Sequence, residues 1–90
     1  MNKEINWEQF ELIINECIEL AHSKNKDYGT YSLIEFGRKG CLIRMNDKLN
    51  RLKTLILNEN KPKVETEKIE DTIKDLINYS IYLLLMDKKN

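Results

Sequence analysis

The sequence predicts an all-α protein, a small helix bundle of three main helices. Three observations carry that expectation. Apolar residues recur at offsets of three and four in three separate segments. All three glycines fall in one stretch, "DYGTYSLIEFGRKG", between the first two segments. The single proline, Pro62, stands in the polar loop "NENKPKVET" between the second and third, where it bars helix continuation. With 90 residues, the chain is read as a single helical domain over 1–90.

The first helix is expected over about 7–23. Asn6 is its N-cap, and Gln9 three residues on completes a capping-box pattern. Phe10, Ile13, Ile14, Cys17, Leu20 and Ala21 form its apolar stripe. In the glycine-bearing stretch, Ser32–Phe36 is long enough for one short helical turn. The second helix is expected over about 40–57, where Leu42, Met45, Leu49, Leu52 and Ile56 alternate offsets of three and four, as in a packing seam.

The third helix is expected over about 67–87, with Thr66 as N-cap. Ile69, Ile73, Leu76, Ser80 and Leu83 make its main buried face. Its C-terminal half also carries Ile77, Tyr79, Ile81, Tyr82, Leu84, Leu85 and Met86, which leaves almost no polar side. A helix apolar all round is buried all round. Two partner helices of one short chain do not cover it, so the bundle is expected to be completed by homo-oligomerisation. The alternative is that Tyr31–Phe36 folds over it.

Composition narrows the partners. Hydrophobic residues make up 41% and charged residues 33%, a balance typical of globular, soluble chains. Fifteen Lys and Arg match fifteen Asp and Glu, which argues against a bulk electrostatic grip on nucleic acid. Cys17 and Cys41 lack metal-ligand spacing and follow no signal peptide, so they are expected to be reduced and structural in a cytoplasmic protein. The run "LINYSIYLLLM" is shorter than the ~20 residues a bilayer span needs, so no membrane partner is expected.

Two charged stripes stand out. In "IRMNDKLNRLKTL", Arg44, Asp47, Lys48 and Arg51 share one helix face beside the packing seam. Such a face suits a phosphorylated ligand, and it equally suits a solvated helix surface. In "ETEKIEDTIKD", Glu67, Asp71 and Asp75 recur every four residues. Stacked carboxylates can hold Mg²⁺; acidic residues near a helix N-terminus also favour the macrodipole. Glu16 and Glu19 are a further carboxylate pair. His22, the only histidine, has no partner at catalytic spacing, and no catalytic residue is assigned. Tyr28, Tyr31, Tyr79 and Tyr82 suit base stacking as well as core packing.

The segments "KNKDYG", "FGRKGCLIRMNDKLNRL" and "ETEKIEDTIKDLINYSIYLL", in this order, resemble the nucleotide modification associated domain 1 family, small all-helical proteins of phages and bacteria with kinship to MazG-like nucleotide pyrophosphohydrolases. The resemblance runs from about Lys24 to Leu85. It implies a nucleotide-like small molecule as partner and, for a phage-encoded chain, the host cytoplasm. Arg44, Lys48 and Arg51 would then hold phosphates, with Asp47 orienting an arginine or accepting from a ribose hydroxyl. Asp27, Tyr28 and Gly29 would close over base or sugar, with Tyr79 among the matching positions. A binder of this kind would sequester its nucleotide, for instance a signal used in antiphage defence. The alternative is a Mg²⁺-dependent pyrophosphohydrolase with metal on Glu67, Asp71 and Asp75, helped by Glu16 and Glu19. Against the acidic pattern of MazG-like enzymes that set is incomplete. A third alternative is a structural oligomerisation module, in which the opposite charges of the second and third helices simply pair.

Overall fold

The computed structural model describes residues 4–29, 35–58 and 63–88, with backbone only for Tyr28 and residues 63–66. Three helices follow one another: α1 (Trp7–Tyr28), α2 (Gly37–Leu57) and α3 (Lys63–Lys88). The described residues contain no strand, so the expected all-α class is the class that forms.

Asn6 caps α1 as its side chain predicts: the backbone is extended there, and its Oδ1 accepts the Gln9 N–H at 3.1 Å. The helix runs past the expected end at 23. "HSKNKDY" holds neither glycine nor proline, so nothing stops the backbone before Gly29. Gly29 sits at φ 80°, ψ 160°, and its N–H donates to the Asn25 carbonyl at 2.8 Å. Asp27 and Tyr28 therefore close the last turn of α1.

The chain enters α2 through two positive-φ residues, Phe36 (φ 67°) and Gly37 (φ 61°). Gly40 then lies against the incoming strand of chain. A Cβ there would collide with the Glu35 carbonyl oxygen and come within 2.8 Å of the Phe36 Cβ. Of the expected Ser32–Phe36 turn, residues 32–34 lie outside the described residues, as do 59–62 of the polar loop. Helix α3 begins at Lys63, so Thr66 stands inside it and is not the N-cap. Neither glycine nor proline falls between Lys63 and Thr66, and Glu65 in the first turn favours the helix macrodipole.

Helices α2 and α3 are antiparallel. Arg38 pairs with Asp87 at 3.0 Å, the Cys41 thiol donates to the Tyr79 carbonyl at 3.2 Å, and Lys48 pairs with Asp75 at 3.2 Å. Helix α1 meets α3 where the Asn78 amide donates to the Cys17 carbonyl at 3.0 Å and Lys74 pairs with Glu16 at 3.1 Å.

Among the described residues the buried apolar ones are few and small: Cys17 and Cys41, with Leu52 the one large side chain among them. Thr72 and Asn78 are buried polar residues, each with a hydrogen-bond partner. The expected seams do not close within the chain. On α2, Leu42, Leu49 and Ile56 are exposed; on α3, Ile73 is exposed and Ile69, Leu76, Ser80 and Leu83 are half-buried. The cause is placement: α1 packs on the Lys74 and Asn78 side of α3, which leaves the Leu76 side open. Half of the α1 stripe is likewise exposed: Phe10, Ile13 and Ile14.

Candidate functional site

The three helices meet at Asp75. Lys24 from α1 reaches its Oδ1 at 3.4 Å, and Lys48 from α2 reaches its Oδ2 at 3.2 Å. The Asp75 side chain is only 13% exposed, and the two lysines are more open than it is. Two ammonium groups on one carboxylate leave one net positive charge, with N–H donors still free to turn outward.

Lys24, Asp75, Asn78, Tyr79 and Tyr82 line a small space of about 10 Å³ here, room for about one water. The Tyr79 and Tyr82 rings stand edge to face, with centroids 5.7 Å apart at 85°. Burial pushes the Tyr82 phenol up, and the nearby Tyr79, Asp75 and Cys41 push the same way. Tyr82 thus stays a neutral hydroxyl at physiological pH. Burial also raises the Cys41 thiol, opposed by the Arg44 guanidinium, and raises the Cys17 thiol, opposed by Lys74. Both cysteines are free and buried. They are packing residues, not ready thiolates.

Along α2, Arg44 and Lys48 are half-buried, whereas Asp47 and Arg51 are exposed. Periodicity places all four on the flank of α2 away from Leu42 and Leu49. Asp27 and Gly29 are exposed at the end of α1; the Tyr28 side chain lies outside the described residues.

The acidic set is not gathered. Glu67 and Asp71 are exposed, and Asp75 has lysines on both oxygens. Glu16 is paired with Lys74, and Glu19 is exposed. Among the described residues, no three His, Cys, Asp or Glu side chains converge as a metal site. Helix periodicity aligned the carboxylates along α3, but it could not show what the neighbouring helices present to them.

Lys24 is the site residue that the sequence reading missed. It lies seven residues after Cys17 and so shares its face, but only if α1 continues past 23.

These geometrically joined residues fall within one known sequence pattern. The profile described as nucleotide modification associated domain 1 matches residues 24–86. The chain belongs to that family. No curated protein and no solved structure gave a significant match. The family match begins at Lys24 and takes in Lys48, Asp75, Asn78, Tyr79 and Tyr82, so the whole three-helix junction lies inside the nucleotide modification associated domain. Among the described residues, no helix is long and apolar enough to cross a membrane.

Proposed function

We propose that the chain binds a phosphorylated nucleotide at the Asp75 junction and holds it without cleaving it. The observation that carries this reading is the convergence of Lys24 and Lys48, from two helices, on one buried carboxylate. Asp75 holds both ammonium groups in place, so they are positioned before any ligand arrives. Phosphate oxygens at the mouth would take the outward N–H donors. Arg44, one turn from Lys48, and Arg51 would add forked contacts along α2. Tyr79 and Tyr82 offer an aromatic edge and a neutral hydroxyl to base or ribose. The enclosed space takes about one water, so the nucleotide would lie across the mouth of the junction.

Retention of an intact nucleotide would make the protein a sequestering agent, as a phage would use against a nucleotide signal of its host. The test is mass spectrometry of nucleotides retained by the purified protein, followed by calorimetry with a panel of linear and cyclic nucleotides. The expected result is an intact bound nucleotide. Replacing a lysine or arginine that contacts phosphate costs about 1.5–3 kcal/mol. Lys48→Ala and Arg44→Ala should therefore each weaken binding by roughly ten- to a hundredfold. No binding across the panel would end the proposal. Release of pyrophosphate in Mg²⁺, lost in Asp71→Asn, would replace it with hydrolysis.

A further inference from the structure

The isolated chain exposes too much surface for its mass. A compact monomer of 10.7 kDa exposes about 5,500 Å². This chain exposes 7568 Å², an excess of roughly 2,000 Å² over that expectation. Its radius of gyration, 14.7 Å, likewise exceeds the ~12 Å of a compact 90-residue domain. A standard interface covers about 800 Å² per partner, and obligate homodimers cover more. The excess is therefore of the size that one obligate interface removes.

Part of that open surface is a groove between α2 and α3. Leu42, Met45, Asn46 and Leu49 of α2, with Leu76 and Ser80 of α3, line an open groove of about 340 Å³. Its walls are apolar and wet: Leu42 is 59% exposed and Leu49 44%. Ile56 continues the row two turns further on, 41% exposed. The α2 row keeps the alternating offsets of three and four that knobs-into-holes packing requires. Ser80 keeps the floor low enough for a facing side chain to enter. A hairpin of two antiparallel helices, each with half a seam uncovered, is the half of a four-helix bundle.

We infer that the α2/α3 groove is covered by the same groove of a second copy, giving an isologous dimer with a four-helix core. The same patch then serves both subunits, and each Leu42–Leu49 row packs into the other's groove. The surface lies on the flank of α2 opposite Arg44 and Arg51, so pairing leaves the Asp75 junction open. This inference does not depend on any bound nucleotide.

Sedimentation equilibrium tests it. The expected mass is about twice 10.7 kDa, or an even multiple of it. The midpoint of thermal unfolding should rise with protein concentration. A mass of 10.7 kDa with a concentration-independent midpoint overturns the inference, whether the groove stays bare or another molecule covers it. Asn46→Arg keeps every apolar side chain but blocks the groove, and should weaken association at least tenfold. Leu42→Glu with Leu49→Glu should do so more strongly. Phe10→Glu, on the exposed face of α1, should leave the dimer intact. If Phe10→Glu dissociates the protein and Asn46→Arg does not, the interface is on α1 and the inference is wrong.

Discussion

Asn78 joins two helices through one buried hydrogen bond, from its amide to the Cys17 carbonyl. Leu52 is the one large apolar side chain fully buried among the described residues, so the bond carries more of the α1–α3 join than it would in a thick core. Asn78→Ala should cost about 1–3 kcal/mol in urea unfolding, read as a lower midpoint at unchanged slope. An unchanged midpoint would mean that the Glu16–Lys74 and Lys24–Asp75 pairs hold the join. At this scale the sequence was partly legible. Lys48 and Asp75 were each visible from helical spacing, and the structural alternative anticipated that such opposite charges would pair. Their third partner, Lys24, was hidden by one misplaced helix end. Asn78 lies three residues after Asp75, so spacing puts it near the acidic face of α3. Nothing in spacing shows that an asparagine will meet a backbone carbonyl from a helix 61 positions away.

At the scale of elements, glycines decide where the helices stop and how closely the chain folds back. Gly29 at φ 80°, ψ 160° occupies backbone space that is essentially closed to residues with a Cβ. Gly29→Ala should destabilise the fold by about 1–3 kcal/mol although its Cβ would meet nothing within 4 Å. Chemical denaturation reads the cost, and an alanine tolerated without loss would show that α1 can end elsewhere. Gly40 is required for the opposite reason, since its backbone is ordinary and the space beside it is full. The sequence marked this stretch as the break between the first two helices. The Asn6 cap and the existence of three helices were also legible, because caps and periodicity are local. Helix ends were not: residues 24–28 and 63–66 carry no stop signal, so both helices run on. The pairing of faces was illegible for a different reason. The periodicity of α3 shows an apolar side but not which helix covers it, and α1 chose the other flank.

At the scale of the molecule, the groups with shifted proton affinity among the described residues all act in one direction. Burial lifts the Cys17 and Cys41 thiols above their ordinary 9.0 and the Tyr82 phenol above 10.0. The hydrogen bond to Glu16 lifts Lys74 above 10.5. Each group holds its proton more tightly in the folded chain than in the unfolded one. Its contribution is therefore complete below the unfolded value and is lost as pH rises through the folded one. Above pH 9.0 the unfolded chain gives up thiol protons that the folded chain keeps, and from 10.0 the phenol adds to the loss. Thermal melts at fixed protein concentration, with reductant present, should show a midpoint that is level from roughly pH 7 to 8.5 and falls beyond 9. Replacing both cysteines by alanine should move the onset of the fall up towards the tyrosine and lysine range, whatever the change in stability at neutral pH. A midpoint that rises with pH above 9 would mean that the thiols ionise more readily in the folded protein, and so that the Cys17 and Cys41 sites are not the closed, low-dielectric contacts between helices described above.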